Sequence, residues 1–163
     1  MRGVRVYRRH LPHWRGDGAT YFVTWRVHPF QADLLPEERA IVVSALRHFD
    51  GARYRLHAFV VMNDHVHALL TPTEGMALEK IVHSWKSFAA NRIQAGMVRR
   101  GPIWQDEYLD RIVRNEAEFI EKANYILNNP WKRWPELKQY EWVGHEGDGQ
   151  STRRARRPTP PVV

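Results

Sequence analysis

Residues 53–71, RYRLHAFVVM-ND-HVHALLT, constrain the fold more strongly than any other stretch of the chain. Residues 53–62 and 65–71 are rich in β-branched and aromatic side chains, which predicts two strands. The residues between them, Asn63-Asp64, are a typical turn pair. A two-residue connection is too short for a crossover, so the two strands are predicted to be antiparallel neighbours. The sequence therefore predicts a sheet that contains this hairpin.

The flanking sequence predicts five more elements: a strand at 20–28, a helix at 34–49, a helix at 76–95, a short strand at 110–114 and a helix at 115–129. Asn115 is the predicted N-cap of the last helix, and Pro130 is predicted to end it. Residues 99–108 are predicted to be a loop. The order β-α-β-β-α-β-α indicates an α+β fold. Its first six elements match a ferredoxin-like antiparallel sheet with helices on one face, and the C-terminal helix is extra.

Length and charge indicate one basic domain. The 163 residues fit one domain, predicted at residues 1–144 with a basic arm at 1–18, followed by a disordered basic tail at 145–163. The chain has no cysteine, no apolar stretch long enough to cross a membrane, and no apolar segment after the basic arm as in a secretory signal. A net charge of +7 with seven tryptophans and six tyrosines favours a nucleic-acid partner, although a basic soluble protein fits the charge as well.

His65 and His67 are expected on the same side of strand 65–71, because side chains alternate along a strand. Val66 and the apolar residues that alternate with the histidines are expected under the helices, which leaves the histidines on an exposed face. Their backbones lie about 7 Å apart, and two imidazoles at that spacing can converge on one divalent metal ion. A bare H-x-H pattern is also typical of ordinary strand histidines, so a metal site requires a third ligand.

The last predicted helix carries a candidate for that ligand. Its apolar stripe consists of Phe119, Ile120, Ala123, Ile126 and Leu127. Tyr125 lies opposite the middle of the stripe, and Asn129 lies one turn further along the same side. If this side meets the histidines, a phenol, an amide oxygen and two imidazoles come together. Taken singly, Tyr125 fits a surface tyrosine and Asn129 fits a helix end before proline.

Three blocks of the sequence, VVMNDHVHALL, IWQDEYLDRIVRNEAEF and NYILNNPWK, resemble the signature blocks of the single-tyrosine HUH transposases. The REP-associated tyrosine transposases are the branch that the chain resembles most, from about residue 8 to residue 143. The resemblance implies the HUH nuclease fold, an RRM-like sheet with the nucleophile on a C-terminal helix. It also implies cleavage and rejoining of single-stranded DNA, usually at the foot of a hairpin. One departure is Asn63-Asp64, where the family usually has Pro-Asn, and we expect only a changed hairpin geometry.

The resemblance also implies roles for the candidate residues. Tyr125 corresponds to the catalytic nucleophile, and His65, His67 and Asn129 to the ligands of Mg²⁺ or Mn²⁺. Asp64 is a candidate second-shell carboxylate beside this metal. Cleavage leaves a 5′-phosphotyrosine and a free 3′-OH, and a second 3′-OH can reverse the step without ATP.

The sequence leaves open what removes the proton of the tyrosine. A phenol ordinarily loses its proton near pH 10, so it needs help from the metal, from Lys122 or from a water. Tyr21 and Tyr108 are alternative tyrosines, but neither has a polar helical partner four residues further on.

Phosphate contacts are predicted at four basic residues and base stacking at two tryptophans: Lys86, Arg92, Arg111, Arg114, Trp85 and Trp104. The basic side chains fit a solvated surface equally well, and Trp85 also fits the core. The arginine-rich tail is expected to add salt-dependent, sequence-independent affinity for DNA.

The predicted function is thus metal-dependent nicking and joining of single-stranded DNA or DNA hairpins, by a monomer or homodimer in the bacterial cytoplasm, associated with the nucleoid. The alternative on the same scaffold is a non-catalytic hairpin-binding protein or regulator. An RRM-like RNA-binding domain is disfavoured, because the inner strands carry His65 and His67 in place of the RNP aromatic pattern. Relaxases and replication initiators of the same superfamily are usually longer.

Overall fold

The helices and strands follow the predicted β-α-β-β-α-β-α order. The computed structural model describes Trp14, residues 18–96 and 99–146, and the backbone of residues 155–156. The elements are β1 (Thr20–Val27), α1 (Pro36–His48), β2 (Tyr54–Val61), β3 (His65–Pro72), α2 (Leu78–Gly96), β4 (Trp104–Val113), α3 (Glu116–Arg133), β5 (Gln139–Tyr140), β6 (Val143–His145) and β7 (Ala155–Arg156).

The main sheet has the strand order β4-β1-β3-β2-β6, and every neighbouring pair is antiparallel. The first four strands in that order form the ferredoxin-like arrangement, so the predicted α+β fold class is confirmed. β6 extends the sheet beyond β2, and β5 pairs with β7 in a separate two-stranded sheet. Neither addition was predicted, because both depend on segments too short to show a pattern.

Helices cover both sides of the sheet. The apolar residues of α1 and α2 form the larger core with Val66, Ala68 and Leu70, as the alternation of β3 predicts. On the opposite side, Ala123 of α3 belongs to a second core together with Val60 of β2. We call this second side the histidine face, and it carries Phe22, Thr24, Arg26, His65, His67 and Leu69.

β4 differs from its prediction at its start. Residues 104–108 were predicted to be a loop, but β4 begins at Trp104 and pairs along β1. Most of its side chains are exposed on both sides of the sheet. They therefore lack the alternation that marks a half-buried strand, and backbone pairing with β1 alone defines the element.

α3 also differs from its prediction. Asn115 is the N-cap as expected, and its side chain accepts a hydrogen bond of 2.9 Å from the backbone N–H of Glu118. Pro130, however, does not end the helix, which continues to Arg133. Burial of Trp131 in the second core offsets the hydrogen bond that the proline cannot donate. The last turn therefore adds Lys132 and Arg133 to the helix.

The chain ends were predicted to be a basic arm and a disordered tail. Within the arm, the ring of Trp14 lies 5.5 Å from that of Phe119. Within the tail, His145 belongs to β6, and residues 155–156 pair with β5. Residues 1–13, 15–17, 147–154 and 157–163 lie outside the described residues, and the boundary at residue 144 stays a prediction. No helix in the described part of the chain is both long and apolar enough to span a membrane.

Candidate active site

His65 and His67 lie on the histidine face of β3, with ring centroids 4.7 Å apart. The predicted common side is therefore correct, but the predicted exposure is wrong for His67, which is only 4% exposed. The ring of Phe22 stacks on His67 at 5.3 Å, and the ring of Tyr125 meets His67 edge-on. Two aromatic rings therefore cover His67, which does not lie on an open strand surface.

The two ring nitrogens of His67 have different surroundings. Nδ1 lies 2.7 Å from the hydroxyl oxygen of Thr24, its neighbour on β1. Nε2 is buried and has no hydrogen-bond partner within the described residues. A buried ring nitrogen without a partner is costly unless a ligand completes it, and a hydrogen bond at the other nitrogen is typical of metal-binding histidines. His67 thus fits the metal that the resemblance implies.

Electrostatics keep His67 neutral. Burial, followed by the charges of His65, Arg26 and Lys122, lowers the pKa of His67 to about 3. At neutral pH the imidazole therefore carries one proton. If that proton lies on Nδ1 and is donated to Thr24, Nε2 presents a lone pair, as a metal ligand must.

His65 is held by its preceding residue. Its Nδ1 lies 2.7 Å from Oδ1 of Asp64. Burial acts to raise the pKa of Asp64, but the hydrogen bond and charge of His65, with Arg133 and Arg26, outweigh it and lower the pKa. Because an ionised carboxylate only accepts hydrogen bonds, Nδ1 of His65 is the donor. This hydrogen bond holds the ring of His65, and the role of Asp64 beside a metal stays a prediction.

Tyr125 is brought to the histidines by α3. Its ring centroid lies 5.3 Å from that of His67 and 6.0 Å from that of Phe22, and 42% of the residue is exposed. The predicted apolar stripe of α3 is buried except at Ile120, which is half-buried. The two alternative tyrosines, Tyr21 and Tyr108, pack at the margin of the larger core on the other side of the sheet. Of these three tyrosines, only Tyr125 contacts a histidine of the pair.

Asn129 follows Tyr125 by one helical turn and is 8% exposed. Within residues 18–96 and 99–146, no three histidine, aspartate or glutamate side chains cluster as a metal site. An amide oxygen is not part of that set, and the role of Asn129 as third ligand stays a prediction.

Cationic side chains surround the site. Nζ of Lys122 lies 5.2 Å from the ring centroid of Phe22, and Nζ of Lys132 lies 5.7 Å from that of Tyr125. The charges of Arg26 and Arg133 act on Asp64. Cations beside the neutral His67 suit a phosphodiester.

Sequence reasoning missed several of these neighbours. The alternation of β1 would have placed Phe22, Thr24 and Arg26 on one side, but only the pairing of β1 with β3 shows that it is the side of His67. Lys132 and Arg133 were missed because the helix was expected to end before them.

The predicted DNA contacts divide between the two sides of the sheet. Arg111 lies on the histidine face as the β4 partner of Phe22, and Arg114 is exposed just before α3. Lys86 and Arg92 lie on α2, on the other side of the sheet, so they are not contacts for a strand at Tyr125. Nζ of Lys86 donates to the backbone oxygens of residues 105 and 106, at 2.8 and 3.0 Å.

The prediction that Trp104 stacks on bases is corrected by its burial. Trp104 is 5% exposed, its ring packs edge-on against Trp25, and its Nε1 donates to the backbone oxygen of Lys86 at 2.9 Å. Trp85 is likewise buried in the larger core, as the alternative interpretation held. Neither ring can reach a base without leaving the core.

Because His57 and His67 are buried, we expect the free energy of unfolding of the metal-free protein to depend on pH. Burial lowers the pKa of both His57 and His67 in the folded chain, whereas an unfolded histidine titrates near 6.5. Below that pH the unfolded state binds more protons, so the free energy of unfolding falls as the pH falls. For His67 the loss approaches about 1.4 kcal/mol per pH unit.

Urea unfolding in EDTA between pH 7.5 and 5.5 measures this loss before most carboxylates titrate. His67→Gln is expected to flatten the dependence, and the exposed His83→Gln on α2 to leave it unchanged. Stability that rises towards pH 5.5 would contradict the burial argument.

The fold and site together define a class. A ferredoxin-like sheet with a histidine pair on an inner strand, facing a tyrosine from an added helix, is the arrangement that the resemblance to single-tyrosine HUH transposases implies. The family model described as "Transposase IS200 like" matches residues 24–129. This match covers more than half of the chain and includes His65, His67, Tyr125 and Asn129. The chain belongs to this transposase family and is a DNA-processing enzyme by that membership.

Relatives agree with the family. The "REP-associated tyrosine transposase" of Escherichia coli (strain K12) is 24% identical over 116 residues, which are 71% of this chain and 68% of the relative. A solved structure of the REP-associated tyrosine transposase bound to a REP hairpin matches with a TM-score of 0.65 at 22% identity, covering 84% of this chain and 80% of that one. A crystal structure of a putative transposase from Deinococcus radiodurans R1 matches with a TM-score of 0.52 at 24% identity, covering 72% and 97%.

Proposed function

We propose that this protein is a metal-dependent endonuclease and strand transferase that acts on single-stranded DNA at hairpins through a covalent phosphotyrosine. The observation that carries the proposal is the meeting of three rings on the histidine face. His67 lies 4.7 Å from His65 and 5.3 Å from Tyr125, measured between ring centroids. A nucleophile and two candidate metal ligands thus lie beside one another, and cations surround them.

The hairpin substrate is supported by the relatives. One similar structure is described as bound to a REP hairpin, and the curated relative is named as REP-associated. The surface cations Arg26, Lys132 and Arg133 give this chain the charge that a folded-back DNA strand requires.

His65, His67 and Asn129 would hold the metal, Mg²⁺ or Mn²⁺. A divalent cation bound there supplies Lewis-acid polarisation of a phosphodiester oxygen, worth several kcal/mol of transition-state stabilisation. Two nitrogen ligands favour Mn²⁺ over Mg²⁺, which prefers oxygen. The chain supports the ligands through Thr24 and Asp64, whose contacts at 2.7 Å orient the two imidazoles.

Tyr125 carries the covalent step. Its hydroxyl oxygen forms a bond to phosphorus, the bond from phosphorus to the 3′-oxygen breaks, and the phenol proton is balanced by the proton that the 3′-OH gains. The ester that results keeps the energy of the broken bond, so a second 3′-OH can restore the phosphodiester and release the tyrosine. The ammonium groups of Lys122 and Lys132 lie near the rings of Phe22 and Tyr125, and we propose that their positive charge stabilises the phosphate that Tyr125 attacks.

Nicking of an end-labelled hairpin oligonucleotide with a single-stranded flank tests the proposal. We expect cleavage with Mn²⁺ or Mg²⁺ and none in EDTA, with the flank and foot of the hairpin cleaved in preference to the stem. Tight hairpin binding without cleavage in either metal would favour the non-catalytic regulator. Equal cleavage of fully duplex DNA would contradict the single-strand assignment. Gel filtration of the same sample distinguishes a monomer from a homodimer.

A further inference from the structure

One row of side chains crosses the sheet through the proposed site. Strand register aligns Leu109 of β4 with Thr24 of β1, Thr24 with His67 of β3, and His67 with Val60 of β2. Residues paired in this way lie on the same side of a sheet. The row therefore begins on the edge strand β4, continues through Thr24, which contacts Nδ1 of His67, and ends in the second core under α3.

The residues at the two ends of this row differ in solvent exposure. Val60 is fully buried in the second core, whereas Leu109 is 71% exposed. Neighbouring strands are about 4.8 Å apart, which puts Leu109 about 10 Å from His67. Among the described residues, α3 covers one side of the site and nothing covers Leu109 on β4, so a DNA strand whose phosphate reaches Tyr125 can continue across β4.

Charge on the open side suits such a strand. Arg111 is the β4 partner of Phe22, and Arg26 lies on β1 next to His65 in register; both are exposed. Asp110 alternates to the other side, and Glu107 is the acid of β4 that shares the side of Leu109. An exposed leucine between two arginines offers an apolar contact for a base and cations for the phosphates on either side of it.

We propose that Leu109 contacts the base of a single-stranded nucleotide flanking the cleaved phosphate, and that Arg26 and Arg111 bind the neighbouring phosphates. A single strand fits because its unstacked bases present flat apolar faces, whereas a duplex presents mainly phosphates and groove edges. This inference rests on the proposed function, which places the cleaved phosphate at Tyr125. Leu109 is then a binding residue for the single strand beside the hairpin.

Cysteine cross-linking tests this contact directly, because the chain has no cysteine of its own. Leu109→Cys and the control Ile112→Cys each introduce a single thiol on the same exposed strand. Ile112 is 45% exposed but pairs with Tyr21 and so faces the other side of the sheet. The probes are hairpin oligonucleotides that carry a thiol-tethered base at successive positions of the flank and of the stem.

We expect Leu109→Cys to form a disulfide with the flank bases next to the cleavage site mapped by nicking, and Ile112→Cys to form little or none. Leu109→Ser should weaken binding of the flanked hairpin about fivefold, and Ile112→Ser should not. Equal cross-linking at both positions, or cross-linking of Leu109→Cys to stem bases only, would overturn the proposal.

Covalent adduct formation by the wild-type chain, measured in parallel, separates this inference from the proposed function. An adduct without a cross-link at position 109 refutes the contact alone. A cross-link to the flank without any adduct supports the contact and refutes the catalytic proposal.

Discussion

Tyr125→Phe is expected to abolish the covalent protein–DNA adduct and to lower the nicking rate by more than about a thousandfold. The substitution keeps the ring that packs against His67 and Phe22 and removes only the attacking oxygen. Because Tyr125 is 42% exposed, the free energy of unfolding should change by less than about 1 kcal/mol. A denaturing gel of labelled hairpin measures the adduct, and peptide mapping of the wild-type adduct should place it in ANYILNNPWK.

Tyr108→Phe is the matched control. Tyr108 packs at the margin of the larger core, on the side of the sheet away from His67, so its variant should form the adduct at the wild-type rate. A persistent adduct in Tyr125→Phe, or its loss in Tyr108→Phe, would show that the nucleophile is misassigned.

His67→Ala is expected to remove Mn²⁺ binding and to lower nicking by more than about a hundredfold, while binding of the hairpin in EDTA largely survives. The physical reason is that the buried Nε2 of His67 has no hydrogen-bond partner among the described residues and is therefore the nitrogen proposed to bind the metal. The phosphate contacts are expected from Arg26, Arg111 and Lys132, which the substitution leaves in place. Calorimetric titration with MnCl₂ measures the metal, and fluorescence polarisation of a labelled hairpin measures DNA binding.

His83→Ala provides the histidine control, because His83 is exposed on α2 on the other side of the sheet. It should bind Mn²⁺ and nick as the wild type does. Retained hairpin binding by His67→Ala in EDTA also shows that the variant is folded although a buried ring is lost. Wild-type nicking by His67→Ala in EDTA would contradict the metal assignment.

α3 contributes side chains to the candidate site as well as to the second core. Its buried stripe attaches it to the histidine face, and this attachment holds Tyr125 at the edge of His67. The same helix contributes Lys122 and Lys132 on either side of the tyrosine. The packing of the α3 stripe against the sheet therefore stabilises the second core and also fixes the position of Tyr125 relative to His67.

Some of the protein is determined by its sequence alone, because local periodicity is a property of the chain. Alternation in β3 places His65 and His67 on one side and Val66 on the other, whatever the sheet packs against. Helical spacing separates Tyr125 from the apolar stripe of α3 in the same way. The β2–β3 hairpin follows from its short turn, and the N-cap at Asn115 from its side chain.

Other features were decided only by the tertiary structure, because they depend on which surfaces meet. The burial of His67 comes from Phe22 and Tyr125, which are distant in the sequence and pack over it. Trp104 is a core residue and not a stacking platform, because β4 pairs with β1 and carries it against Trp25. Pairing and packing between remote segments leave no local pattern. The partner of His67 and the open side of its site are therefore visible only once the sheet is assembled.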